Sequence, residues 1–316
     1  MITSAAPSGQ IRREQCYTNR LVCLSSLSLS LFKQLIALSI WQRLKWFGAA
    51  DGIGTIFSRV YLMKTSLVIT TYNRPEALDW VLASVDRQRV EPAQVIIADD
   101  GSKVGNSDVI RKWSGRLPIV HVWQPDNEFR AARARNLAVL KASNEHIIFI
   151  DGDCVLPPDF VRQHQRLIES GILVSGGRVL MTENDTKRLL ECDIPSTQLD
   201  FSGFKFRKIP LGPLRDLRKK SWKQVRTCNL GVLRRDILHV GGFDETFVGW
   251  GREDSDFVMR SIRSSMAIRS ARFSACVKHL YHPEFSRSDL VANEALLTEG
   301  FNSNRISPKK SSLSNL

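Results

Sequence analysis

The chain has 316 residues, 43% of them hydrophobic, enough for one large core or two small ones. Its formal charge of +13 suits a polyanionic partner: nucleic acid, an anionic membrane surface or a phosphorylated substrate. Six cysteines without CxxC spacing argue against a zinc ribbon or a disulfide framework and fit a reducing compartment.

Residues 1–62 read differently from the rest. The apolar stretch 21–41 is Ser-rich, broken by Lys33 and Gln34, and flanked by Arg20 and Arg43. It is marginal for a membrane span, which needs an apolar run of about 20 residues. A signal peptide lacks a small-x-small cleavage site here. The reading preferred is an N-terminal extension outside the natural protein, which would then start at Met63.

From Thr65 the pattern is regular. Residues 66–71 form a short apolar strand, and Tyr72-Asn73-Arg74-Pro75 turns the chain into a helix carrying Leu78, Val81, Leu82 and Val85. Residues 94–98 are a second strand, ending in Asp99-Asp100-Gly101-Ser102, and 119–123 a third. Residues 130–142 read as an Ala-rich basic helix, and 146–150 as a fourth strand ending in Asp151-Gly152-Asp153. Further strands are expected at 173–179, 229–232 and 268–279, with a helix at 254–262. Strands alternating with helices predict an α/β domain over 63–285, a mainly parallel sheet with helices on both faces. Ligands bind such sheets beyond the carboxyl ends of the strands. Residues 286–316 read as a tail, disordered beyond Phe301. The run 201–226 carries nine Lys or Arg residues against Asp216. Its stretch 205–226 is either a solvated loop, a lid over a diphosphate, or a patch facing anionic lipid.

Two acidic segments attract attention. Asp151 and Asp153 end an apolar strand, and carboxylates alternating about a glycine can present oxygens to one hard cation. A bare D-x-D is more often a polar turn; the preceding run Ile147-Ile148-Phe149-Ile150 raises its standing. The second segment, Gly241 to Asp256, holds Asp244, Glu245, Glu253, Asp254 and Asp256 among glycines, with Trp250 as a flat face for a sugar ring. Asp99-Asp100 is an ordinary turn pair that can also accept hydrogen bonds from a nucleobase. Arg135 suits paired diphosphate oxygens. His279 and His282, three apart, are candidate metal ligands, and an imidazole among carboxylates favours manganese over magnesium without excluding either.

The ordered set Val68 to Arg74, Asp99 to Ser102, Ala134-Arg135-Asn136, Asp151-Gly152-Asp153 and Gly241 to Asp254 resembles glycosyltransferase family 2. Trp250-Gly251-Arg252-Glu253-Asp254 also resembles the C-terminal signature of β-1,4-galactosyltransferases and bacterial chondroitin-type polymerases. The resemblance spans roughly residues 65–285. It implies a GT-A (Rossmann-like) fold, a nucleotide-sugar donor, most naturally a UDP-sugar, and inversion at the anomeric carbon. Carried over, Asp100 meets the base, with Asp99 as its weaker neighbour; Thr70 and Arg74 line the nucleotide pocket; Arg135 approaches the nucleoside or diphosphate. Asp151 and Asp153 match the D-x-D pair, Asp153 being the firmer ligand of Mn2+ or Mg2+. Asp254 matches the catalytic base and Glu253 orients the acceptor. His279 matches the metal histidine, with His282 competing, and Cys276 stands where those enzymes carry a methionine ligand.

The expected function is therefore an inverting, metal-dependent hexosyltransferase. Its acceptor is a glycan or lipid-linked hydroxyl in bacterial surface polysaccharide or lipopolysaccharide synthesis. It would work in the cytoplasm, free or peripheral on the inner face of the membrane. A nucleotidyltransferase would want a Gly-rich basic loop after the first strand, which Thr71 to Pro75 does not supply. A nucleic-acid binder would interleave basic and aromatic residues, whereas the aromatics fall mostly in apolar runs, so nucleic acid is not expected as a partner. The intact acidic set speaks against an inactive subunit.

Overall fold

The structure is a computed structural model that describes residues 63–192, 221–283 and 286–314. The 1–62 extension and residues 205–220 of the basic run lie outside the described residues. Alternating side chains assemble the sheet. In β1 (Thr65–Thr71), Leu67 and Ile69 join one buried cluster while Val68 joins the other. In β4 (His146–Asp151), Ile148 and Ile150 face the first and Ile147 and Phe149 the second. Helix α1 (Pro75–Asp86) covers the first face with Leu78, Val81, Leu82 and Val85, the stripe expected from sequence. On the opposite face, α3 (Ala131–Lys141) packs Ala134, Ala138 and Val139, small residues that let the helix lie close to the strands.

Between these come β2 (Gln94–Asp99), α2 (Val104–Trp113) and β3 (Ile119–Trp123). After β4 follow β5 (Cys154–Val155), α4 (Phe160–Gln165), β6 (Ile172–Leu180), α5 (Glu183–Leu190), β7 (Asn229–Leu233) and α6 (Arg234–His239). The chain continues through α7 (Glu253–Arg263), β8 (Ala267–His279) and α8 (Leu290–Asn302). The eight strands form one sheet in the order β3-β2-β1-β4-β7-β6-β8-β5. Pairings among β3, β2, β1 and β4 are parallel; β7 runs antiparallel to both β4 and β6, β6 and β8 are parallel, and β5 is antiparallel to β8. The mainly parallel α/β sheet of the sequence reading is present, with an antiparallel strand at its centre. The described residues fall in one compact unit, Val60–Leu316. None of their helices is long and apolar enough to cross a membrane.

The stretch after residue 286 departs from expectation. Helix α8 occupies its first part, and the stretch beyond Phe301 is ordered through Ser314. Arg305 reaches Asp244 at 2.6 Å and Asp256 at 2.7 Å, the Lys309 amide donates to Asp244 at 2.8 Å, and the Ser312 amide donates to Glu245 at 2.6 Å. Leu313 is buried against the α3 face. A polar composition hid this docking because buried carboxylates anchor the chain together with only a few apolar side chains, Leu297 and Leu313. Three of the five acids in the second segment are thereby consumed: Asp244 and Glu245 hold the tail, and Asp256 also pairs with buried Arg260 at 2.8 Å.

Candidate active site

Strand ends build the floor of a cleft of about 480 Å³. Thr70 of β1 lies in register with Asp151 of β4, and the Gly152 amide donates to the Thr70 carbonyl at 2.7 Å. A Cβ on Gly152 would sit 2.9 Å from the Thr71 hydroxyl and 3.1 Å from the Thr70 carbonyl, so only glycine lets the chain turn this tightly against β1. The turn sends Asp151 and Asp153 into the cleft together. Burial pushes the Asp151 carboxyl up; Arg135 opposes that shift and Asp153 adds to it.

The pairing of β5 with β8 sets Cys154 opposite His279, and the Leu280 amide donates to the Asp153 carbonyl at 2.9 Å. His279 Nε2 lies 3.5 Å from Asp153 Oδ1, and His282 Nε2 lies 3.6 Å from Oδ2. Each ring holds its Nδ1 on a backbone carbonyl, Leu280 at 3.0 Å and Pro283 at 2.7 Å. A carbonyl only accepts, so each Nδ1 donates and each ring turns its Nε2 toward the Asp153 carboxylate. Carboxylate oxygens and imidazole nitrogens gathered in this way are the donor set a divalent cation takes, with the rings oriented by the outer hydrogen bonds. The residues present fit such an ion. Arg74 now lends its charge there, at 2.8 Å from Asp153 Oδ2.

The second acidic segment reaches the same cleft. Gly251 and Arg252 take left-handed backbone, φ 101° and 81°, and this double turn starts α7 with Glu253 and Asp254 in its first turn. The Arg252 conformation is costly for a residue with a Cβ; its guanidinium is anchored on Glu294, with Nε at 2.8 Å. Arg135 ties the two segments together, buried, 3.1 Å from Glu253 and 3.4 Å from Asp151. Burial and the neighbouring Glu253 carboxylate push Asp254 up to about 6, against the pull of Arg226 and Arg135. A half-buried carboxyl poised near neutrality beside a cleft can accept a proton from a hydroxyl.

At the nucleotide end, Asp99 and Asp100 part company. Asp99 lies outside the cleft lining: it accepts from the Ser102 amide at 2.8 Å and contacts His121 Nε2 at 3.1 Å. Burial works against its charge, but His121 and Ser102 outweigh it and hold the carboxyl below the usual range. As the last residue of β2 it is engaged in the turn it closes, whereas its expected partner in nucleotide contact, Asp100, faces the cleft. Asp100 does line the cleft and accepts from the Arg130 amide at 2.6 Å and from Gln124. Thr70, Arg74 and Trp250 line the cleft as well, and the buried Thr70 hydroxyl has no hydrogen-bond partner among the described residues.

Cys276, set by resemblance at a ligand position, is buried in β8 and faces Gly177, away from the cleft. The sulfur close to Asp153 is that of Cys154, which the sequence reading passed over; its ligand atom groups with those of Asp153 and His279 within 4.8 Å. Tyr72, Arg178 and Arg287 also reach the cleft unforeseen. Tyr72 could have been suspected, since it directly follows the β1 strand end. Arg178 had no such signal, because the bulge between Gly176 and Gly177 that resets its register against β8 is a tertiary feature.

Comparison with known proteins agrees with this geometry. The chain belongs to glycosyl transferase family 2, whose model matches residues 66–242. A second model, described as the N-terminal domain of galactosyltransferase, matches 216–283, so the two together cover the range expected from the motifs. Validoxylamine A glucosyltransferase of Streptomyces hygroscopicus subsp. limoneus is 30% identical over 62% of this chain and 47% of its own length. Chondroitin synthase of Escherichia coli is 27% identical over 69% of this chain and 34% of its own. The chain thus matches about half of the first relative and a third of the second. Among solved structures, S. aureus TarS 1-349 in complex with UDP-GlcNAc superposes with a TM-score of 0.52 at 16% identity, over 75% of this chain and 66% of that one. GalNAc-T7 with UDP, GalNAc and Mn2+ gives 0.53 at 16% identity, over 75% and 48%. These likenesses define the fold as GT-A.

Proposed function

We propose that the chain is an inverting, metal-dependent glycosyltransferase that moves a hexose from a UDP-sugar to a hydroxyl of a growing bacterial surface glycan. The observation that carries this reading is the convergence of Asp151, Asp153, Glu253 and Asp254 on one cleft, bridged by Arg135. Names of similar proteins support it: one is a glucosyltransferase, one a chondroitin synthase, and two folds of the same type were solved with UDP or UDP-GlcNAc.

In this reading the base and ribose lie over the ends of β1 and β2, where Thr70, Tyr72 and Asp100 are placed. Asp153 with His279 and His282 holds Mn2+ or Mg2+, Asp151 standing beside them; when bound, the ion supplies positive charge for the departing diphosphate. Asp254 takes the proton of the acceptor hydroxyl as the hydroxyl attacks the anomeric carbon and the bond to the diphosphate breaks. Glu253, fixed by Arg135, orients the acceptor, and Trp250 offers its ring to a sugar face. Asp254 stands on a helix N-terminus, which tempers the desolvation of its charge. No covalent enzyme intermediate is needed, because base and leaving group can act on opposite faces of the sugar.

Released nucleotide from a panel of UDP-, GDP- and dTDP-sugars, with Mn2+, Mg2+ or chelator, tests the reading. Metal-dependent turnover of a UDP-sugar is expected; equal turnover in chelator, or turnover confined to GDP- or dTDP-sugars, overturns it. The lipopolysaccharide-specific and membrane-contact readings need an acceptor assay and vesicle flotation respectively.

A further inference from the structure

Six arginines line the cleft against five carboxylates. Arg74 is held by Asp153, Arg135 by Asp151 and Glu253, Arg252 by Glu294, and Arg287 lies over the Trp250 ring at 5.3 Å. Arg178 and Arg226 differ: neither forms an ion pair among the described residues. Arg226 donates to the backbone carbonyls of Lys223 and Val225, each at 2.9 Å, and Arg178 only approaches the Cys228 sulfur at 3.9 Å. They stand together because β6 and β7 are neighbours, Ser175 in register with Leu230. Arg178 sits near the carboxyl end of β6, and Arg226 lies just before β7.

Their side of the sheet matters. β7 and β6 lie beyond β4, away from β1 and β2, whose ends carry Thr70 and Asp100. On the transfer reading, the diphosphate would be met by Arg74 and by the cation that Asp153 and the histidines would hold. We propose that Arg178 and Arg226 form an anion subsite for the acceptor, so that the glycan receiving the sugar carries a carboxylate or phosphate near its reacting hydroxyl. The inference rests on the transfer reading above. Guanidinium forks match planar carboxylate and tetrahedral phosphate oxygens alike. The influence of Arg226 on the Asp254 carboxyl supports the placement, since an anion held by Arg226 arrives beside the base.

The test uses the full chain saturated with UDP and Mn2+. Glucose, glucuronate and glucose 6-phosphate are titrated separately, with binding read by ligand-observed NMR. At least one anionic probe is expected to bind about tenfold or more tighter than glucose, the scale of a charge-assisted hydrogen-bonded pair. Which one does so separates carboxylate from phosphate. Arg178→Gln with Arg226→Gln should reduce that preference to about twofold or less, and Arg226→Lys should keep part of it. Equal binding of all three sugars by the unaltered chain overturns the inference, as does a preference that survives the double substitution. A double substitution that weakens UDP binding instead assigns the arginines to the donor and also overturns it. Failure of the unaltered chain to bind UDP sinks the transfer reading and this inference with it; UDP binding without charge preference sinks this inference alone.

Discussion

The half of the sheet made of β3, β2, β1 and β4 and the half made of β7, β6, β8 and β5 meet at one cleft but supply it differently. In the parallel half, cleft residues sit at carboxyl ends of strands: Thr70 near the end of β1, Asp100 just past β2, Asp151 at the end of β4 with Asp153 two residues on. In the mixed half they arrive by several routes: Arg226 ahead of an antiparallel strand, Asp254 from a helix N-terminus, His279 from the last residue of β8 and His282 from the loop beyond. Parallel strands impose one polarity, so one rule locates their functional ends. Mixed strands impose none, and there the site depends on turns such as Gly251-Arg252 and on the β5–β8 pairing. The proposed division of labour follows the same line, with the donor on the parallel half and the base and acceptor on the mixed half.

The hardest blow to that division is expected from Asp254→Asn. It should lower kcat by about 10²- to 10⁴-fold while leaving UDP affinity near that of the unaltered chain. Unaltered turnover at saturating donor would remove the base from the mixed half. A second expected effect concerns the seam between the halves. His146 of β4 and His164 of α4 are both buried against Gly231 of β7, where an added Cβ would meet His164 Nδ1 at 2.6 Å and His146 Nε2 at 3.4 Å. Burial lowers the pKa of His146 to about 3 and that of His164 to about 4, so the unfolded chain binds protons that the folded one refuses. Stability is then full above about pH 6.5 and falls as pH drops toward the folded values, at about 1.4 kcal/mol per pH unit for each ring. Urea denaturation at pH 7.5, 6 and 5 reads this directly; a flat series would show that the rings are not shut away from water.

Metal dependence sharpens the comparison further. Asp153→Asn should raise the Mn2+ concentration needed for half-maximal turnover by about tenfold or more, the scale on which first ligands exceed their supporting hydrogen bonds. His279→Ala and His282→Ala, assayed side by side, identify the nitrogen donor by the larger rise; no rise in either would confine the ion to carboxylates. The smallest effect is a displacement of the pH profile. With Asp254 at about 6, kcat/KM should climb through that pH as its proton leaves. Arg135→Gln removes a cation that favours the charged form, so the ascending limb should move to higher pH by about one unit or less. An unmoved limb would mean that the bridge between the two acidic segments does not reach the base.

How much of this could be read from the chain follows the same boundary. All four parallel strands, α1 and α3 announced themselves by apolar runs and helical spacing, because each buries a continuous stripe against the sheet. Helix α2 did not: Gly105, Asn106, Ser107 and Asp108 are poor helix formers, and packing against β3 and α1 carries it. The acidic richness of residues 244–256 misled in a specific way, since a carboxylate that grips Arg305 or Arg260 in the core looks in sequence like one that faces a ligand. Asp99 and Asp100 show the same limit at one-residue scale. Neighbours on a strand end face opposite ways, and only the partners, Ser102 and His121 for one, Gln124 and Arg130 for the other, reveal which faces the cleft.

Local pattern alone determined the α/β alternation, the glycine that lets Asp151 and Asp153 share one turn, and the family to which the chain belongs, because each is written in spacing over a few residues. Tertiary structure decided which carboxylates line the cleft and which grip the fold. It also gathered Asp153, His279 and His282 at one point, and it left Arg178 and Arg226 with no ion pair among the described residues. Those outcomes turn on charges and strands brought together from more than a hundred residues apart, as Arg135 and Glu253 are, and no short stretch of sequence records such a meeting.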